Sequence, residues 1–196
     1  MSETKSKVCD KPKYVSVIGT CNRERDPRMT AQMFVSMFQV AVNFLRQFEK
    51  IILVSGGSSW SDHIALSLWL SRKETQLNIE DIHLYLPCQF DFNCRKFVDS
   101  GSDDWRTNPG RTLNQYHQTF SLVVFGNKEE SLNQIATLQP EQISAHSGFH
   151  SRNSLVAKSN FLLAFTFEKQ PTSGGTFDTW KKAQKNGTTC FPVCLA

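Results

Sequence analysis

The sequence predicts an α/β fold, with one mainly parallel β-sheet and helices on both of its faces. Five short apolar runs alternate along the chain with longer segments that have helical periodicity. The runs are almost continuously apolar, which is typical of strands buried on both faces of a parallel sheet. We expect these strands at about 14–19, 50–55, 82–86, 161–167 and 189–194.

The composition indicates a globular protein with one sizeable core. The chain has 196 residues, of which 39% are hydrophobic and 20% are charged, and its formal net charge is +4. This length suits one domain, so we expect a flexible tail at 1–13 and a single domain at 14–196. The small positive charge permits an anionic ligand without requiring nucleic acid.

The N-terminus and the cysteines predict a cytoplasmic protein. The first 13 residues are polar and lack the apolar core of a signal peptide. No apolar run approaches the ~20 residues of a membrane-spanning helix. The six cysteines are too sparse for a secreted disulfide scaffold, and their spacing matches no standard zinc pattern. We expect reduced thiols, no metal, no cofactor and no membrane contact.

Helices are predicted between the strands. Residues 29–48 contain neither Gly nor Pro, and their apolar side chains recur every three or four positions, which favours a long amphipathic helix. Ser61 and Asp62 are suitable N-terminal caps for a second helix that ends near residue 72. Two more helices are expected at 151–159 and 174–185.

The middle of the chain gives a weaker pattern. Residues 99–115 are polar and loop-like, and residues 120–125 fit either a strand or a buried helical turn. Residues 132–145 are mixed and partly helical.

Three loops at the carboxyl ends of predicted strands, 19–25, 55–62 and 168–176, form the candidate ligand site, because ligands of open parallel sheets bind at that edge. Two of them contain Gly-Gly before a helix start, where free N–H groups and the missing Cβ favour a phosphate. Gly-Gly is also common in ordinary turns, and neither a dinucleotide fingerprint nor a P-loop is present. The predicted ligand-binding residues are Gly19, Thr20, Ser55, Gly56, Gly57, Asp62, Arg152, Ser173, Gly174, Gly175 and Thr176.

Aromatic residues offer a second kind of contact. An exposed aromatic ring is able to stack a nucleobase, although packing in the core or at its rim is the default expectation for each ring. The candidates are Trp60, Trp105, Tyr116 and Trp180.

Two blocks of the chain resemble the SLOG superfamily. Residues 54–65 are similar to its Ser-Gly-Gly-Ala-x-Gly-Ala-Asp-x-x-Ala segment, with Trp60 where a glycine is usual. Arg152-Asn153, the apolar run 161–167 and the segment 173–179 resemble its Arg-Asn, strand and Gly-Thr helix start. The blocks cover most of residues 14–195, while residues 91–145 carry little of the pattern.

This superfamily includes the DNA-processing protein A, the Lonely Guy proteins and YspA-like sensor domains. The resemblance implies a Rossmann-like sheet whose two glycine loops hold a nucleotide or a nucleotide-derived ligand. It also adds Asn153, which follows Arg152 in the matching block, to the binding residues. Proteins of this kind are often homodimers, and we expect one here.

Three functions follow from the resemblance. The leading one is a binding module that senses, sequesters or carries a nucleotide-like ligand. The second is a phosphoribohydrolase, in which Arg152 holds the phosphate and Asp178 stabilises the positive charge that develops on the ribose. Thr179 stands where the Lonely Guy enzymes have their glutamate, and Asp178 lies one position earlier. The third is single-stranded DNA binding, which the small net charge does not favour.

Overall fold

The structure is a computed structural model that describes residues 11–23 and 25–195. Residues 1–10 of the predicted tail therefore lie outside the described residues, and Lys13 already belongs to the first strand. The strands are β1 (Lys13–Gly19), β2 (Ile51–Ser55), β3 (Ile79–Leu86), β4 (Phe90–Asp91), β5 (Lys96–Phe97), β6 (Ile143–Ala145), β7 (Phe161–Thr166) and β8 (Thr189–Cys194). The helices are α1 (Ala31–Leu45), α2 (His63–Leu70), α3 (Arg72–Thr75), α4 (Pro109–Phe125), α5 (Glu130–Ile135), α6 (Gly148–Val156) and α7 (Gly174–Lys185).

Six of the strands form one parallel sheet in the order β6-β3-β2-β1-β7-β8, and β4 and β5 form a separate antiparallel pair. The chain builds the sheet outward from β1 to β6 and then returns to place β7 on the other side of β1. This reversal opens a crevice beyond the carboxyl ends of β1 and β7, which is where open α/β sheets bind ligands.

Helices cover both faces of this sheet, so the predicted fold class is confirmed. Alternate residues of β1 point to opposite faces. Val15 and Val17 join the larger core, together with Phe34 of α1 and Phe120 of α4. Ile18 joins a smaller core with residues of α6 and α7. The described helices include none that is both long and apolar enough to cross a membrane.

The middle of the chain corrects one sequence prediction, decides between two alternatives and adds a strand. The loop predicted at 99–115 ends early, because α4 begins at Pro109 and Asn108 caps it by accepting a hydrogen bond from the N–H of Arg111. Residues 120–125 form the last turns of α4, so the helical alternative is the correct one. Strand β6 was not predicted, since its three residues are too few to give an alternating pattern.

The bounds of the other elements differ less. Strand β3 begins at Ile79 rather than near residue 82. Helix α1 begins at Ala31, because Thr30 accepts a capping hydrogen bond of 3.2 Å from the N–H of Met33. Asp62 occupies the N-cap position of α2 but makes no side-chain capping bond. Its carboxylate instead accepts a hydrogen bond from Arg152 of α6.

Candidate functional site

A cavity of about 650 Å³ lies at the crevice between β1 and β7. Its walls come from the loop after β1, from Ser58 and Asp62 after β2, and from residues 166–168 and 171–176 at and beyond the end of β7. Residues of α4, α6 and α7 and Trp105 of the loop before α4 also line it. This volume falls in the range of small-molecule sites. The strand order therefore produces a ligand-sized cavity at the edge that sequence analysis singled out.

The N-terminus of α7 forms one wall of the cavity. Gly174, Gly175 and Thr176 line it, and Ser173 at the N-cap position makes no side-chain capping bond. The first N–H groups of a helix have no intrahelical acceptor and carry a partial positive charge. The Thr176 hydroxyl donates to the carbonyl of Gly19 at 2.7 Å. That bond ties α7 to the end of β1 and leaves the backbone N–H groups as the donors available to a ligand.

A buried ion pair lies beside this helix end. Arg152 is 8% exposed and Asp62 is 6% exposed, and both line the cavity. Nη1 of Arg152 donates to Oδ2 of Asp62 at 3.1 Å. Burial raises the pKa of the Asp62 carboxyl, and the neighbouring Arg152 guanidinium opposes that shift. Nε of Arg152 is buried and has no partner among the described residues, so one donor of this guanidinium is not satisfied by the protein.

Aromatic rings form a further part of the cavity wall. Trp105, Tyr116 and Phe149 belong to the lining, and the rings of Trp105 and Phe149 lie 5.9 Å apart between centroids. The guanidinium of Arg106 lies 4.6 Å from the centroid of Trp105, and that of Arg23 lies 5.8 Å from it. The cavity lining thus combines aromatic and cationic groups, which meet at Phe149, whose ring centroid lies 5.6 Å from the Arg152 guanidinium.

Carboxylates and cations both occur in the lining. Asp26 is paired with Arg28 at 2.7 Å, and Glu168 and Arg23 also border the cavity. Carboxylates accept hydrogen bonds from hydroxyl groups, whereas guanidinium and helix N–H groups donate to anions. This mixture suits a ligand that carries both an anionic group and hydroxyl groups. Within residues 11–23 and 25–195, no cluster of three His, Cys, Asp or Glu side chains is arranged to hold a metal ion.

Comparison with known proteins gives one relative. The chain is 41% identical over 142 residues to the uncharacterized protein R261 of Acanthamoeba polyphaga mimivirus, an alignment that covers 70% of this chain and 68% of the viral protein. The chain belongs to the family of this viral protein. No family model matches the sequence. Because the viral protein is itself described as uncharacterized, membership of this family brings no activity with it.

Most of the residues predicted to bind a ligand meet at the cavity. They are Gly19, Thr20, Asp62, Arg152, Asn153, Ser173, Gly174, Gly175 and Thr176.

Three predicted ligand contacts are absent from the lining: Ser55, Gly56 and Gly57. The Ser55 hydroxyl is buried and donates to the carbonyl of Asp62 at 2.8 Å. A Cβ on Gly56 would collide with the guanidinium of Arg152, and one on Gly57 would collide with Leu86. The missing Cβ atoms therefore make room for protein side chains, not for a phosphate.

Asp178 also lies outside the cavity lining. Its Oδ2 accepts hydrogen bonds from Asn153 at 2.9 Å and from Lys182 at 2.8 Å, and it lies 3.3 Å from Nδ1 of His150. Burial opposes ionisation of this carboxyl, but the bonds from Lys182 and Asn153 outweigh it and lower its pKa. The carboxylate thus belongs to a network that joins α6 to α7.

The four aromatic candidates separate clearly. Trp60 and Trp180 are buried in the core, at 1% and 5% exposure, as the default expectation had it. Trp105 and Tyr116 line the cavity, and sequence analysis missed Phe149 altogether. One feature of the sequence did indicate an aromatic contact in this region: Trp105 is a large aromatic residue in the otherwise polar stretch 99–108.

Two buried histidines support the loop behind the ion pair. Nε2 of His117 donates to the carbonyl of Gly57 at 3.1 Å, and its Nδ1 accepts from the hydroxyl of Ser131 at 3.0 Å. Nε2 of His63 donates to Oε1 of Gln134 at 2.9 Å. Burial lowers the pKa of His63 to about 4 and that of His117 to about 3, so both rings are neutral near pH 7.

Proposed function

We propose that the cavity binds a nucleotide or a nucleotide-derived small ligand, and that the protein senses, sequesters or carries this ligand. The observation that carries the proposal is that the open N-terminus of α7 and the buried Arg152 face one ligand-sized cavity at the reversal of strand order. A nucleotide is also the ligand class that the resemblance to the SLOG superfamily implies.

The phosphate lies at the N-terminus of α7 in this proposal. The backbone N–H groups of its first turn converge there, and an anion at this position is stabilised by the partial positive charge of the helix. A Cβ on Gly175 would meet only Nδ2 of Asn153, at 3.8 Å. The space in front of this glycine is therefore open to a phosphate. Arg152 also lines the cavity, and its guanidinium adds positive charge that favours an anion there.

The contacts of Asp178 favour binding over nucleotide hydrolysis. A carboxylate that stabilises positive charge on a ribose must face that ribose. The Asp178 carboxylate instead accepts bonds from Asn153 and Lys182, outside the lining. A binding role needs no such carboxylate, so it agrees better with the geometry.

Calorimetric titration of the purified protein with the four common nucleoside 5′-monophosphates tests the proposal, together with mass spectrometry of small molecules that the protein releases on denaturation. We expect saturable binding of at least one of them. Gly175→Val should abolish it, because the valine side chain fills the position of the phosphate. Gln184→Val, an exposed substitution later in the same helix, is the matched control and should bind normally.

Two results would contradict this proposal. One is unchanged affinity in a folded Gly175→Val protein, which would place the ligand elsewhere. The other is release of free base from the nucleotide during incubation with the protein, detected by chromatography. That result would show that the protein is a hydrolase.

A further inference from the structure

The loop of residues 99–108 holds a large aromatic side chain at the mouth of the cavity. Trp105 is 39% exposed, and its neighbours in the sequence are polar. Leaving an indole ring in water forgoes the free energy that its burial would give. An exposed aromatic ring at a cavity mouth is a feature of ligand sites.

Hydrogen bonds hold this loop in one conformation. The side chain of Asn108 is almost fully buried and donates from Nδ2 to Asp99 at 2.5 Å and to the carbonyl of Ser102 at 2.7 Å. Its Oδ1 accepts from the N–H of Ser100 at 3.1 Å. Arg111 of α4 binds Asp99 from the other side at 3.1 Å. The backbone on which Trp105 sits is thus anchored by a buried amide and an ion pair.

The neighbours of Trp105 add aromatic and guanidinium groups to this part of the cavity. Phe149 lies beside it with an angle of 51° between the ring planes, and Tyr116 lines the same cavity. The guanidinium of Arg106 lies 4.6 Å from the centroid of the Trp105 ring and is bound to Asp104 at 3.5 Å. Nucleobases stack on aromatic side chains and on guanidinium planes, and each of the bases is able to do so because every base has a π-face.

We propose that Trp105 and Phe149 hold the nucleobase of the ligand while its phosphate lies at the N-terminus of α7. This inference rests on the proposed nucleotide site and adds to it the group that provides selectivity for a base-bearing ligand. The aromatic pair and the N-terminus of α7 line one cavity, and in this proposal a single nucleoside monophosphate contacts both. A sugar phosphate lacks the base that would stack on the rings.

Calorimetry with two probes tests the inference. The wild-type protein is titrated with the nucleoside 5′-monophosphate that binds best and with ribose 5-phosphate. We expect the nucleotide to bind about fivefold to a hundredfold tighter, which is the range that stacking of one base on an aromatic side chain provides. Trp105→Ala should bring the two affinities together by weakening only the nucleotide. Trp105→Phe should retain most of the difference.

Controls separate this inference from the proposed function. Trp69 also has a guanidinium over its ring, that of Arg72 at 3.8 Å from the ring centroid, but it does not line the cavity. Trp69→Ala should therefore leave both affinities unchanged. Gly175→Val should abolish binding of both probes. Equal binding of both probes to the wild type, or an undiminished preference in Trp105→Ala, would overturn the role of the aromatic pair while leaving the phosphate site intact. Absence of binding by every nucleotide would overturn the proposed function as well.

Discussion

The two Gly-Gly segments, residues 55–62 and residues 173–176, look alike in the sequence and differ in the structure. Each follows a buried strand and precedes a helix. The first segment is closed: its residues are buried, and Cβ atoms on Gly56 and Gly57 would collide with Arg152 and Leu86. The second segment is open: a Cβ on Gly174 would meet nothing within 4 Å, and Gly175 borders the cavity.

The packing around each loop explains the difference. The loop after β2 is filled by protein side chains, since Arg152 and Leu86 occupy the space beside Gly56 and Gly57 and His117 binds the carbonyl of Gly57. Strand β7 borders the reversal of strand order, and the loop after it faces the crevice. A Gly-Gly pair therefore has a different role in each segment. In the first segment it admits Arg152, and in the second it leaves space for the proposed ligand.

The largest expected effect on stability comes from Gly56→Ala. The new Cβ displaces the Arg152 guanidinium and leaves Asp62 as an unpaired buried charge. Breaking a buried ion pair in this way costs about 3–5 kcal/mol, and we expect a loss of that size in the free energy of unfolding measured with urea. A loss below about 1 kcal/mol would show that Arg152 moves aside without cost and that the first segment is not closed.

Acidification should produce the second-largest effect, through the histidines behind the first segment. Burial lowers the pKa of His63 to about 4 and that of His117 to about 3 in the folded protein, whereas the pKa of a histidine in the unfolded chain is about 6.5. The unfolded chain therefore binds more protons below that pH. The stability contributed by the neutral rings is complete above pH 6.5 and is lost as the pH falls toward the folded pKa values.

Urea unfolding at pH 7.5 and at pH 5.5 measures this effect. Each histidine should contribute a loss of about 1.4 kcal/mol between the two pH values. His63→Gln removes one titrating ring and should roughly halve the difference. Equal stability at both pH values would mean that water or a rearranged loop accommodates the protonated rings.

Thr176→Val should have a smaller effect. Its hydroxyl bond to the Gly19 carbonyl joins the second segment to the end of β1, and a single hydrogen bond of this kind contributes about 1 kcal/mol. Urea unfolding should show a loss of that size, and a nucleotide should bind more weakly because the helix end is less well held. Thr189→Val, an exposed substitution in β8 that lies outside the cavity lining, is the control and should change neither quantity.

Apolar patterns were sufficient to predict five of the six strands of the sheet, and local chemistry predicted only a part of the site. Strands such as β2 and β7 are uniformly buried and show as apolar runs, and the crevice then follows from parallel topology. The start of α4 was missed although Asn108-Pro109 is a favourable cap and first-turn pair, because the polar residues around it hide the helical period. The roles of Gly56 and Trp105 depend on Arg152 and Phe149, which are distant in sequence, so no local pattern could reveal them.

The smallest expected effect, and the direct counterpart of Gly56→Ala, is that of Gly175→Ala. The added methyl group makes only an ordinary contact, 3.8 Å from Nδ2 of Asn153. Gly175 lies in the first turn of α7 without a left-handed backbone, so alanine fits its conformation. Replacing such a glycine restricts the unfolded chain and stabilises a protein by about 0.4–1 kcal/mol. We therefore expect a neutral or slightly raised free energy of unfolding, measured beside Gly56→Ala under the same conditions. Nucleotide affinity should fall in Gly175→Ala and vanish in Gly175→Val, since each added carbon takes space from the phosphate. A destabilisation as large as that of Gly56→Ala would mean that the second segment is packed like the first, and the contrast between the two segments would be wrong.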